Sequence, residues 1–198
     1  MRKSLLLLVI CIAFTSAFAQ NLGLRYGIGV GALRDHKALQ SLSFGPKAIR
    51  LYPSISTSAG VVFVAEESFF NVYEMQYTLY RSHGISIQKT GMDFDELHEA
   101  GAVLHSLELP VLARFNFGSV YMEAGPQFGF NIHAKIYTNR ELKIPDVNTF
   151  AFGPSFGGGI SRNNILLGIR GHFGMLEYAK KTNGYPLAVQ AAFTILLL

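Results

Sequence analysis

The chain has 198 residues, 49% of them hydrophobic and only 15% charged, with 17 basic against 13 acidic residues and a single cysteine. So small a positive excess, with no basic cluster, argues against a nucleic-acid partner, and one cysteine excludes a disulfide framework or a thiolate metal site. The length suits one domain rather than several.

Arg2 and Lys3 precede an apolar run from Leu5 to Phe14, and Ala17-Phe18-Ala19 then supplies the small residues of a cleavage site. This is the layout of a secretory signal, predicted over residues 1–19 and leaving Gln20 as the first mature residue. The apolar run is shorter than the ~20 residues a helical anchor needs. Cys11 lies inside it, and Leu8-Val9-Ile10 does not make a lipoprotein cleavage box. Loss of the signal leaves 15 basic against 13 acidic residues. Nothing later approaches 18 consecutive apolar residues, so any membrane crossing must be made by strands.

From residue 22 onward apolar residues alternate with glycine or polar ones, beginning with Leu22-Gly23-Leu24-Arg25-Tyr26-Gly27-Ile28-Gly29-Val30. Strand side chains point to opposite faces with period 2, so this is a two-sided ribbon. The pattern recurs over 22–33, 52–65, 69–81, 103–116, 119–132, 149–161, 164–176 and 186–198. Each stretch meets the ~9–11 residues that a tilted strand needs to cross a bilayer. The connections alternate between tight and long. Glu66-Glu67-Ser68, Phe117-Gly118 and Arg162-Asn163 are tight, while 34–51, 82–102, 133–148 and 177–185 are longer. An all-β fold follows: an eight-stranded antiparallel up-and-down transmembrane β-barrel with short periplasmic turns and longer extracellular loops, occupying residues 20–198.

The apolar face carries Leu22, Leu24, Tyr26, Ile28 and Val30 on the first strand, Tyr73, Met75, Tyr77 and Leu79 on the third, and Leu107, Leu109, Val111 and Phe115 on the fourth. Phe128, Phe130, Ile132, Phe150, Phe152, Phe156, Ile165, Leu167, Ile169, Phe173, Val189, Phe193, Ile195 and Leu197 continue it. No Lys, Arg, Asp or Glu is expected on that face within the spans. A soluble barrel would turn the same face inward. The opposite face decides between them: it is crowded with Gly23, Gly27, Gly29, Gly31, Gly125, Gly129, Gly153, Gly157, Gly159 and Gly168, as a narrow interior requires.

That glycine-rich face also holds Arg25, Glu74, Glu108, Arg114, Glu123 and Arg170, with Gln76, Tyr121, Gln127, Asn131, His172 and Gln190 beside them. Buried charges persist only when paired and hydrogen-bonded. The six are therefore predicted to form one salt-bridge network in the lumen, with Glu74, Glu108, Glu123 and Arg170 near mid-height and Arg25 and Arg114 lower. An eight-stranded barrel is just wide enough for side chains to fill it. Such a network is a structural plug or, alternatively, a narrow path for ions or small solutes. Pro110, Pro126 and Pro154 fall within strands, the last two in a repeated Gly-Pro-x-Phe-Gly, and predict β-bulges there.

Leu107-Glu108-Leu109-Pro110-Val111-Leu112-Ala113-Arg114-Phe115, a short turn, and Tyr121-Met122-Glu123-Ala124-Gly125-Pro126 together resemble the outer-membrane β-barrel domain of Bacteroidota, the PorT-like family. Phe70 to Gly84, with Glu74 facing inward, is similar to that family's third strand. The resemblance covers essentially the whole mature chain and implies an eight-stranded outer-membrane barrel. It also implies a link to envelope processes, since the founding member is tied to protein secretion and gliding. One departure is that the chain ends Leu196-Leu197-Leu198, where such barrels usually end in an aromatic residue read by the assembly machinery.

The loops hold what chemistry remains. Asp93, Asp95, Glu96 and Glu99 offer oxygens to a cation, but without the glycine and frame of a calcium loop; a short helical turn at a solvated tip is the plainer expectation. Ser82, His83, His105 and Ser106 lie near the predicted outer rim, where a lipid-modifying hydrolase would need a Ser-His pair, but no nucleophile motif accompanies them. No catalytic residue, metal ligand or cofactor is therefore expected. Arg34, Lys37, Lys47, Arg50, Lys135, Tyr137, Arg140 and Lys143 give the long loops a basic, aromatic character suited to outer-membrane lipid and lipopolysaccharide. The expected molecule is a monomeric outer-membrane protein acting through its loops, on lipid or on other envelope proteins.

Overall fold

A computed structural model describes residues 21–35, 47–65, 69–90, 94–138, 141–143, 147–177 and 184–197. The predicted signal at 1–19, the Glu66-Glu67-Ser68 turn, and Lys37, Asp93 and Arg140 lie outside the described residues. Among the described residues there are nine strands: β1 (Asn21–Asp35), β2 (Lys47–Val64), β3 (Val72–Thr90), β4 (Phe94–Phe117), β5 (Val120–Thr138), β6 (Glu141–Lys143), β7 (Phe150–Arg162), β8 (Ile165–Phe173) and β9 (Gly184–Leu196). Eight of them close into an antiparallel ring, with β1 paired to β2 on one side and to β9 on the other; β6 adds three residues to the outer end of β5. Closure leaves no sheet edge, which is what lets strands survive in hydrocarbon.

Every pairing is antiparallel, and the tight turns sit where alternation pauses. Gly118 (φ 65°) and Asn163 (φ 52°) take the left-handed conformation that a two-residue hairpin demands, at residue types that tolerate it. At the opposite end the strands run beyond their predicted limits. β3 reaches Thr90 and β4 begins at Phe94, so most of the expected loop 82–102 is a hairpin. The segment from Phe94 to Glu99 is strand, not a helical turn, and β2 and β5 likewise extend into the expected loops 34–51 and 133–148. Apolar alternation marks only the part of a strand that meets lipid. Above that level the backbone ladder continues.

Pro110, Pro126 and Pro154 do not make the predicted bulges. Pro126 lies directly opposite Pro154, and the β5–β7 register runs unshifted from Val120↔Ile160 to Phe130↔Phe150. Pro110 pairs with Gln127, and the β3–β4 register is the same on both sides of it. A proline lacks a donor, so it removes a rung without inserting a residue. The register shifts lie elsewhere, between Pro53 and Thr57 in the β2–β3 pair and at His105/Ser106 in the β4–β5 pair.

The outward face is apolar and the inward face polar, the inverse of a soluble barrel. Leu24, Ile28, Val30, Met122, Ile132, Ile160 and Ile169 are each at least half exposed, while Arg25, Glu74, Glu123 and Arg170 are buried. Arg81, the last residue of the predicted third span, also faces out, at the upper edge of this belt. No helix among the described residues is long and apolar enough to cross a membrane; the strands do so. Inside, Val62, Val72 and Leu112 pack near the tight-turn end. Leu33, Tyr80, Ala102, Leu104, Ala134 and Ala188 form a second apolar cluster towards the long-loop end, with Val147 against it. The polar lumen lies between these two caps.

Candidate functional site

Arg170 is the hub of the lumen. Its position on β8 follows from parity: Leu166, Gly168, Arg170 and His172 point in, while Ile165, Leu167, Ile169 and Phe173 point to lipid. Its guanidinium forks between two carboxylates. Nε donates to Glu123 Oε1 at 2.9 Å and Nη2 to Glu74 Oε1 at 2.9 Å, with further short contacts from Nη1 to Glu74 Oε2 and from Nη2 to Glu123 Oε1. Glu123 Oε2 is held on its other side by Arg114, through Nε at 3.1 Å and Nη2 at 2.8 Å. Arg114 also lies over the Tyr121 ring, 4.8 Å from its centroid. Arg25 completes the set, with Nη1 at 3.5 Å from Glu74 Oε1 and 4.0 Å from Glu123 Oε1.

Five of the six predicted residues therefore converge, drawn from β1, β3, β4, β5 and β8. The lumen is narrow enough here that opposite walls touch through their side chains. Close approach is bought with glycine: a Cβ on Gly157 would stand 2.9 Å from Glu123 Oε1. Arg25 and Arg114 join the same layer as Glu74, Glu123 and Arg170, instead of lying below it.

Glu108 is the exception. It sits higher, where Gln76 Nε2 (3.0 Å), Thr78 Oγ1 (2.6 Å) and Tyr80 Oη (2.5 Å) all donate to its carboxylate. No arginine reaches it among the described residues. Counting Glu108, three carboxylates face three guanidiniums in the lumen, although one acid is separated from the rest. Thr78 and Tyr80 are partners that sequence reasoning missed. Their even positions on β3, in phase with Glu74 and Gln76, carried that information. Across the lumen Ser58 Oγ donates to Gln190 Oε1 at 2.9 Å and Gln190 Nε2 donates to Ser56 Oγ at 2.8 Å. Among the described residues, the buried polar atoms Gln127 Oε1, Asn131 Oδ1 and His172 Nδ1 have no protein partner.

The rim serines and histidines do not assemble. Ser82 is buried and its Oγ accepts from Leu33 N at 2.7 Å, whereas His83 next to it is exposed on the other face. Ser106 points inward and donates to Phe130 O at 3.5 Å, while His105 points outward against the Tyr77 hydroxyl. Adjacent strand residues face opposite ways, so neither Ser-His neighbour pair makes a dyad.

The family model described as outer membrane protein beta-barrel domain matches residues 18–177. Among solved structures, Neisserial surface protein A is similar in fold, with a TM-score of 0.52 at 11% identity over 88% of this chain and 96% of that one. OprG from Pseudomonas aeruginosa has a TM-score of 0.46 at 9% identity, covering 89% of this chain and 96% of its own. No curated protein matches the sequence.

Proposed function

The chain belongs to the outer membrane protein beta-barrel domain family and resides in the outer membrane, and from that premise we propose that it is a closed, non-conducting scaffold whose work is done on its outer surface. In this reading it is a structural, loop-mediated binding or envelope-assembly component, and residues 1–19 are the export signal removed before assembly. The observation that carries it is the guanidinium of Arg170 spanning the lumen between Glu74 and Glu123, with Arg25 and Arg114 filling the same layer. Paired charges that fill the cross-section leave little room for a solute, and the apolar caps above and below work in the same direction. The finer affiliation, to PorT-like barrels of Bacteroidota with a role in secretion, rests on the segments Leu107–Phe115 and Tyr121–Pro126.

A second reading, a narrow channel for ions or small solutes, draws support from Gln127 Oε1, Asn131 Oδ1 and His172 Nδ1. Unpartnered buried polar atoms are where ordered water resides, and a chain of waters could thread past the ion layer. Planar-bilayer conductance of the refolded barrel separates the two. A folded, heat-shifting protein that stays silent is the expected result. Discrete steps altered by Glu123→Ala would replace the scaffold reading with the channel.

A further inference from the structure

The shift at His105/Ser106 changes what the outer wall presents. Below it Ser106 pairs with Asn131, above it His105 pairs with His133, so Ile132 is an extra residue in β5. Inward residues of β5 are odd-numbered up to Asn131 and even-numbered from Ala134. A one-residue slip exchanges the two faces of a strand. Without the bulge, His133 and Lys135 would point into the lumen and Ala134 into lipid. With it, His133 stands outward beside His105, their ring centroids 6.0 Å apart, and Lys135 is exposed one step higher.

Two rows of the ladder then meet on one wall. Leu79, His105 and His133 form one; Arg81, Val103 and Lys135 form the other. Arg81 and Lys135 thus flank Val103 from either side, and Arg81, His133 and Lys135 all act electrostatically on His105. The Tyr77 hydroxyl meets His105 Nδ1 and fixes its ring. Within residues 72–83, 101–117 and 120–135 no outward side chain is acidic, while Phe173, Met175 and Val189 keep the wall at β8 and β9 apolar. A general interfacial girdle would ring the barrel; among the side chains described at this height, the outward basic ones lie on β3, β4 and β5.

Its height is informative. The stretch from His105 to Phe115 on β4 rises about 25 Å at ~3.3 Å per residue and ~40° of tilt, the height of an apolar belt. The patch therefore lies at the outer-leaflet boundary, at the level of lipid headgroups. We propose that Arg81, His105, His133 and Lys135 form a binding site for a phosphorylated outer-leaflet lipid, with the two permanent cations gripping headgroup phosphate and the imidazoles donating hydrogen bonds to it. This rests on the reading that the barrel acts through its outer surface and names what that surface takes.

Native mass spectrometry of the protein extracted from membranes in detergent tests it, with bisphosphorylated lipid A and the phosphate-free lipid added in parallel. Retention of the bisphosphorylated lipid should fall about thirtyfold in the Arg81→Ala/Lys135→Ala double variant, the effect of two surface cations. Arg81→Lys/Lys135→Arg, which keeps both charges, should retain it. Both sites are exposed, and a heat-dependent gel shift verifies folding. His105→Gln/His133→Gln, which should also weaken retention, provides a second probe of the same wall. Equal retention by the Ala variant, or equal retention of the phosphate-free lipid, overturns the site. Either result leaves the conductance experiment untouched, so the failure of this site and the failure of the scaffold reading are separable.

Discussion

Arg170 is the side chain on which most depends. It is buried and forms the middle of an ion chain, so Arg170→Ala strands two carboxylates without their principal partner. Breaking a buried ion pair by removing one side costs about 3–5 kcal/mol, and the urea midpoint of refolded protein in micelles should drop accordingly. Arg170→Lys should fall between the two, because an ammonium is a point charge that cannot fork across both Glu74 and Glu123. At this scale the sequence was informative about direction and not about distance. Parity placed Arg25, Glu74, Glu108, Arg114, Glu123 and Arg170 inside. Which of them touch depends on strand register, which no local pattern encodes, and so Glu108 was grouped with arginines it does not meet.

For the strands, the lesson concerns where a pattern ends and where it slips. Alternation located each crossing because lipid and lumen are such different solvents. It did not mark the outer ends of β2 to β5, where the backbone ladder continues regardless. The β5 bulge did leave a trace: Asn131, inward, is followed by two outward residues, Ile132 and His133, before Ala134 turns in. Deleting Ile132 should restore a regular ladder in which Asn131 still faces in, His133 out and Ala134 in, so that Ala134 keeps its cluster with Leu33, Tyr80 and Leu104. The deletion variant should therefore keep its heat-dependent gel shift, as should Ile132→Val, and loss of the shift on deletion would show that the extra residue is itself required.

At the scale of the whole molecule the apolar belt must be solvated by hydrocarbon. Ile169 is 64% exposed at the centre of β8, between the tight turn and the outer rim. Ile169→Arg should destabilise the barrel in lipid vesicles by roughly 2–4 kcal/mol, the penalty for arginine at the bilayer midplane, measured by denaturant titration of tryptophan-free protein through its tyrosine emission. The same substitution on a water-facing wall would be close to neutral, so a flat result would overturn the membrane-facing assignment of this surface.

The ion layer has a consequence for how such a barrel is made. Its five members come from β1, β3, β4, β5 and β8, and Arg170 and Glu74 are 96 positions apart in the chain. A slip of one residue in any of these strands would evict a charge from the lumen into hydrocarbon and strand its partners within. Misthreaded intermediates are thus penalised together, by the same few side chains, wherever the mistake occurred. The layer thus widens the free-energy gap between the native register and every slipped one, whichever strand has slipped.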